Sequence, residues 1–404
     1  MGKCKICNKD ANQIISFGKM PIANGFISEI TDKEFFYNLS VAFCENCFMV
    51  QLMETVKPGM LFNDNYQFIS STSKVMEEHF QNNAKEILKK ISLKVKPFVV
   101  ELGCNDGIML KHLAKREIRH LGVEPSGNVV SLARENGVCV LETFFNEATA
   151  RQIVKEHGQA DVVCGSNVFC HVEDINSVFR GINILLKDDG MLFFEDPYLL
   201  DIAKLSSFDQ IYDEHVYYFS GFSISELAKR HNMQLVDMAH QDVHGGSMRY
   251  YIKKGISNMV SKRTDQFLFQ EKDLKLDKPE GYLEFKKNVD RICFNLKRTL
   301  QEIKEHGGRI VGYGATSKST TLLNYARIGP ELIDYVSDTT PSKISKYTPG
   351  THIPIKSHDV FKADRPAYAL LLAWNHKKEI FEKEKEYRQK GSKFITYFPE
   401  VTIE

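Results

Sequence analysis

The stretch "VVELGCNDGIMLKHL", Val99 to Leu113, decides the fold of this 404-residue chain. An apolar run ends in an acid, Glu101. Gly103 and Gly107 bracket a polar turn, and a helix-forming segment follows. Glycines in such a turn let the backbone pass close to a ligand, and a helix N-terminus favours polar or anionic groups. The spacing is G-x-x-x-G, not the G-x-G-x-x-G of dinucleotide sites. Outward from the turn the pattern alternates. "HLGVEP" (120–125), "VCVLET" (138–143), "ADVVCGSNVF" (160–169), "GMLFFEDPY" (190–198) and "MRYYIKK" (248–254) read as strands. Segments such as "VVSLARENG" and "ISELAKRHN" read as helices between them. This predicts a doubly wound α/β sheet.

"LGVEPS" ends the second strand in Glu124, whose carboxylate is placed to accept hydrogen bonds from both hydroxyls of a ribose. The acid, the glycine turn and the second acid fit class I S-adenosylmethionine binding better than NAD binding. Gly103 leaves room for the amino-acid part of such a cofactor. "GSNVFCHVED" (165–174) ends the fourth strand, where such folds place groups near the reacting methyl. The candidate cofactor residues are Glu101, Gly103, Asn105, Gly107, Glu124, Pro125 and Asn167.

A second turn follows about two hundred residues later, in "RIVGYGATSKSTTLLNY", Arg309 to Tyr325. Gly312 and Gly314 allow close approach, and Thr316, Ser317 and Lys318 offer donors to phosphate at a helix N-terminus. The third glycine of the dinucleotide fingerprint is missing. Asp338, ending the next strand in "YVSD", faces the nucleoside of a bound nucleotide in this reading. A second α/β unit is therefore expected at 307–404. Before it lies a connecting segment, 257–306, whose Phe285, Val289, Ile292, Leu296, Leu300 and Ile303 form one helical apolar stripe. The central unit is expected at 66–256.

Four of the nine cysteines form two C-x-x-C pairs, Cys4/Cys7 and Cys44/Cys47. Each pair can place two thiolates on one tetrahedral ion, so residues 1–65 read as a small zinc-binding domain. Four thiolates and no histidine point to a closed structural site. The formal net charge of +1 gives no basic field for nucleic acid. No apolar run has the ~18–20 residues of a membrane helix, and the polar start lacks a signal peptide's apolar core. The expected location is the cytoplasm, and the expected state a monomer or weak oligomer.

"FDQIYDEHVYYFS" (208–220) follows the fifth strand and packs Tyr212, Glu214 and His215 together. A histidine beside a carboxylate suits a general base, and tyrosines suit an oxyanion. "HGGSMR" (244–249) adds His244 and Arg249 as anion or sugar contacts.

These motifs in order, with "YQFISSTS" (66–73), resemble the nucleotide-sugar C-methyltransferases that build branched deoxysugars, such as the tetronitrose 3-C-methyltransferase. The resemblance covers essentially the whole chain. It implies a zinc-binding N-terminal domain, a central S-adenosylmethionine domain and a C-terminal nucleotide-sugar domain. It implies that His215 is the base, with Tyr212 and Glu214 beside it, that Tyr66 reaches the substrate, and that His171 is a second polar contact. It also implies methylation at C-3 of a nucleoside-diphosphate 4-keto-6-deoxysugar, linked to thymidine or guanosine. Relatives often carry a tyrosine where this chain has Phe68. The competing readings are C-5 methylation, an NAD-dependent nucleotide-sugar oxidoreductase and a zinc-containing nucleic-acid methyltransferase.

Overall fold

The computed structural model describes residues 2–61, 70–72 and 74–404; Tyr66 and Phe68 lie outside the described residues. Among the described residues, three sheets organise the chain. The first begins with β1 (Gly2–Lys3), β2 (Asp10–Pro21), β3 (Phe36–Phe43) and β4 (Val50–Leu52), antiparallel in that order. The second takes β5 (Phe98–Leu102), β6 (Arg119–Glu124), β7 (Val140–Glu142), β8 (Ala160–Ser166) and β9 (Leu186–Pro197). The short β10 (Tyr217–Tyr218) then leaves the central unit and pairs with β4, completing the N-terminal sheet. β11 (Met233–Gln241) and β12 (Ser247–Lys254) return to the second sheet, whose order is β7-β6-β5-β8-β9-β12-β11. The third sheet holds β13 (Ile310–Tyr313), β14 (Val336–Asp338), β15 (Ile355–Ser357), β16 (Tyr368–Leu371), β17 (Lys393–Thr396) and β18 (Thr402–Ile403), in the order β15-β14-β13-β16-β17-β18.

The central strands read as apolar runs because both faces are covered. Every residue of β5, including Glu101, is buried. Strand β11, which the sequence pattern missed, pairs antiparallel with β12, which in turn pairs antiparallel with β9. Chain order reverses between β5 and β8 in the second sheet and between β13 and β16 in the third. Such switch points open crevices at the carboxyl ends of the strands. Side-chain caps start the helices near both edges. Asp174 accepts from Ser177 N–H, Thr316 from Ser319 N–H, and Ser220 and Ser223 form a reciprocal capping box.

The helix Glu280–Glu305 buries Phe285, Val289, Ile292, Leu296 and Leu300. That stripe packs against β2 and β13, between the first and third sheets. Among the described residues no helix is long and apolar enough to cross a membrane.

Candidate active site

At the end of β5 the chain must turn under the first crevice. Gly103 has φ +63, and a Cβ there would lie 2.3 Å from Val168 Cγ2. Glycine is thus required by packing against the fourth-strand loop, in addition to any need for room at a ligand. Gly107, at φ +76, is held by Val138 and Ala133 and does not line the cavity. Glu124 accepts from Asn105 N–H at 3.1 Å and Ser126 N–H at 3.0 Å. Asn105 Oδ1 in turn accepts from Ser70 N–H at 3.1 Å. Burial raises the Glu124 carboxyl above its usual range, and these donors work against that. Glu101 is buried, raised well above the usual range, and its Oε2 has no hydrogen-bond partner among the described residues. Two such carboxyls suit a ligand that brings an ammonium group and ribose hydroxyls. Pro125 and Asn167 complete this side of the cavity.

That cavity has a volume of about 1290 Å³ and is bordered by all three sheets' units. Tyr212, Glu214, His215 and His171 line it, as do His244, Thr316, Ser317 and Lys318. Of the other residues expected to bind substrate, Gly312 and Gly314 belong to the strand and turn behind the wall. A Cβ on Gly312 would meet Val336, and one on Gly314 would meet Ala373. Asp338 accepts from Ala315 N–H at 2.7 Å and Thr340 N–H at 2.7 Å, bracing the turn from outside the cavity.

Arg249 also lies outside the lining. Its guanidinium donates to Glu195 Oε2 at 2.7 Å and also binds Glu86 and Asn83. Burial pushes Glu195 up, but His79 and Arg249 outweigh this and hold it at about 2. Arg249 therefore ties the helix Lys74–Ile91 to the central sheet, because a guanidinium fork matches two carboxylates at once.

The segment carrying Tyr212, Glu214 and His215 is tied to its neighbours through the backbone. Val216 N–H donates to Cys170 C=O at 2.7 Å, and Val216 C=O accepts from Leu52 N–H at 2.8 Å. His215 Nδ1 lies 2.8 Å from Gln210 C=O, so Nδ1 carries the proton in neutral imidazole. Nε2 is then the basic atom and accepts the Tyr212 hydroxyl at 3.0 Å. The His171 ring stacks on His215 with centroids 5.1 Å apart. Burial, with His171 and Lys318 adding repulsion, holds the His215 imidazolium well below its usual range. Burial holds His171 at about 4. Both rings are neutral near pH 7. Cys170, His171 and His215 have ligand-type atoms within 4.8 Å of one another, but both His215 nitrogens are already engaged. Burial raises Glu214 to about 7, opposed by the Asn24 amide and Lys343.

Several contributors escaped the sequence reading. Trp374 Nε1 donates to Asp209 Oδ2 at 2.7 Å, and Tyr397 OH donates to the same oxygen at 2.9 Å. The third unit thereby holds the residue next to Gln210, whose carbonyl orients His215. Lys343 donates to Ala315 C=O at 2.8 Å and lines the cavity beside Lys318, which donates to His244 C=O at 3.1 Å. Burial lowers both lysines, opposed in part by Asp209 at Lys318 and Asp338 at Lys343. No local pattern marks these residues, because their partners are distant in sequence.

The four N-terminal cysteines gather in one cluster, their Sγ atoms all within 4.8 Å of one another. Cys4–Cys47 and Cys7–Cys44 are each 3.5 Å apart. A tetrahedral zinc with ~2.3 Å bonds separates its sulfurs by about 3.8 Å, so the cluster fits the ion.

Comparison with known proteins agrees with this layout. Residues 4–62 match a family described as a putative zinc binding domain, 76–238 a methyltransferase domain, and 242–399 a C-methyltransferase C-terminal domain. C-methyltransferase NovU of Streptomyces niveus is 32% identical over 405 residues, spanning 99% of this chain and 96% of its own. A ubiquinone biosynthesis O-methyltransferase of Pseudomonas aeruginosa is 33% identical over 100 residues, covering 24% of this chain and 42% of that protein. Among solved structures, a SAM-dependent methyltransferase of Anabaena variabilis matches at a TM-score of 0.36 and 15% identity, over 44% of this chain and 86% of its own. Magnesium protoporphyrin IX methyltransferase of Synechocystis, with bound SAM, matches at 0.34 and 13%, over 45% and 82%. With its full-length similarity to NovU and its matches to a putative zinc binding domain, a methyltransferase domain and a C-methyltransferase C-terminal domain, this chain belongs to the S-adenosylmethionine-dependent C-methyltransferases.

Proposed function

We propose that the protein methylates C-3 of a nucleoside-diphosphate 4-keto-6-deoxysugar, with zinc as a structural ion on Cys4, Cys7, Cys44 and Cys47. The observation that carries this reading is the position of Tyr212–His215. The pair shares one cavity with the acidic turn of β5 and β6 on one side and Lys318, Lys343 and a helix N-terminus on the other.

S-adenosylmethionine, held by Glu101, Gly103, Asn105, Glu124, Pro125 and Asn167, supplies an electrophilic methyl on a sulfonium. Helix Ser317–Tyr325, whose cap Thr316 already takes the Ser319 N–H, turns the backbone N–H groups of Ser317 and Lys318 to the substrate's pyrophosphate. An anion there would also favour the charged form of the two lysines, which burial disfavours. The sugar's ketone acidifies the neighbouring C–H. His215 Nε2, the basic atom, takes the C-3 proton directly or through the Tyr212 hydroxyl that it already holds. Tyrosine hydroxyls or histidine then stabilise the enolate oxygen. Glu214, next to His215 in the chain, ionises near and above neutral pH, held by the Asn24 amide and Lys343. Neutral His171 stacks on the same ring without adding a second positive charge. Fixing both reactants in one orientation is worth up to roughly 7–11 kcal/mol in well-aligned cases. Incubation with candidate 4-keto sugars and methyl-labelled cofactor tests the reading. Transfer to carbon supports it, and transfer to oxygen or to no sugar rejects it.

A further inference from the structure

The segment after β2 enters the junction of all three units. Ala23 N–H donates to Asp213 Oδ2 at 3.1 Å, and Ala23 C=O accepts from Thr320 Oγ1 at 2.9 Å. Asn24 goes further. Its Nδ2 donates to Glu214 Oε1 at 2.7 Å, and its Oδ1 accepts from Ser317 Oγ at 2.9 Å. Asn24 itself lines the cavity. One amide therefore spans from the acid–base segment to the first turn of the proposed pyrophosphate helix.

The donor pattern has a chemical consequence. A carboxylate only accepts, so Asn24 must turn its NH₂ to Glu214 and its oxygen to Ser317. The Ser317 hydroxyl proton is then committed to Asn24. Phosphate must be met by the Ser317 backbone N–H and by other donors, not by this hydroxyl.

We infer that Asn24 is a positioning residue, supplied by the zinc-type module, which holds Glu214 in place and couples it to the helix that anchors the substrate. The zinc-type module is then part of the active site as well as of the scaffold. The other group acting on Glu214 is Lys343, which favours its charge, while the Glu214 charge in turn raises its neighbour Asp213. Tyr37 and Cys170 also feel its charge. Removing the amide leaves burial opposed by Lys343 alone, so Glu214 ionises at higher pH. A carboxylate at position 24 would raise it further by direct repulsion.

The inference rests on the sugar reading for its rate measurements, so the experiment has two arms. In the first, kcat, KM and their pH profiles are measured for Asn24→Ala, the isosteric Asn24→Asp, and Ser317→Ala. Cofactor binding serves as the check on folding. Asn24→Ala should lower kcat at neutral pH by about 10- to 100-fold, the loss of one hydrogen bond to a charged group. The KM for cofactor should stay unchanged. The acid limb should move up by about one pH unit, and more in Asn24→Asp, so that activity partly returns at higher pH. Ser317→Ala should raise the KM for the nucleotide substrate and shift the limb less. Acid limbs that superpose on the wild type in both Asn24 variants overturn the inference. The second arm needs no substrate: a double-mutant cycle in unfolding stability between Asn24→Ala and Glu214→Gln. Non-additive changes support the coupling even if no 4-keto sugar is methylated, and additive changes reject it even if one is.

Discussion

Substituting Gly103 by alanine tests the turn that begins the cofactor site. The backbone there has φ +63, and the added Cβ would stand 2.3 Å from Val168 Cγ2 and 3.3 Å from Cγ1. Two costs combine. A non-glycine residue in the left-handed region costs roughly 1–2 kcal/mol. The overlap adds roughly 1–3 kcal/mol, because Val168 is β-branched and cannot swing away freely. The sum, about 2–5 kcal/mol, is a large part of a domain's stability. Part of it will be relieved by shifting the loop that carries Asn167, which lines the cofactor side of the cavity. Gly103→Ala should therefore lower both the unfolding midpoint and the affinity for S-adenosylmethionine or its demethylated product. Calorimetry and thermal unfolding read the two quantities separately. Adding Val168→Ala should recover the overlap share and leave the backbone share. A Gly103→Ala protein with wild-type affinity and midpoint, or a double variant no better than the single, would refute this reasoning.

Three other outcomes are expected. Arg249→Met leaves the buried Glu195 without its guanidinium partner, held only by His79, Asn83 and Ser166, and should cost about 3–5 kcal/mol at neutral pH, measured by urea unfolding. Glu195 is held at about 2 against an ordinary 4.5, so its contribution is present above about 4.5 and lost as pH falls toward 2. The gap between variant and wild type should close over that window; a gap constant with pH would refute the assignment. Cys44→Ser should lose the metal by elemental analysis together with folded protein, whereas a soluble, well-folded, zinc-free variant would reject a structural ion. Trp374→Phe removes one of two donors to Asp209 and should reduce kcat several-fold while leaving cofactor affinity intact; unchanged kcat would show that this strut does not orient His215.

The central sheet was legible because parallel strands buried on both faces leave continuous apolar runs, and β5 is one. Strand β11 was missed because "MQLVDMAHQ" mixes polar and apolar residues on a strand at the sheet's edge. β10 was missed for a different reason: two residues, Tyr217 and Tyr218, leave the central unit to pair with Gln51 and Val50. No period can show so short an exchange. The proximity of Tyr212 and His215 was readable, since they lie three apart and meet directly. Arg249 shows the limit. Beside two glycines it read as a ligand contact, but its partners Glu86 and Asn83 lie more than 160 positions away. Asn24 and Trp374 were silent for the same reason. Each binds a segment from another unit, and only the assembled fold brings them there.

The most direct test follows the C-3 proton. A 4-keto-6-deoxysugar nucleotide would be incubated in D₂O with the demethylated cofactor, and with methyl-labelled cofactor in parallel. Deuterium at C-3 and label on carbon would be read by mass spectrometry and NMR for the wild type and His215→Asn. The account predicts exchange and methylation at C-3 in the wild type. It predicts that both fall by about 10²- to 10⁴-fold in His215→Asn, the usual contribution of a general base. Undiminished exchange and methylation in His215→Asn, or label placed on oxygen, would contradict it.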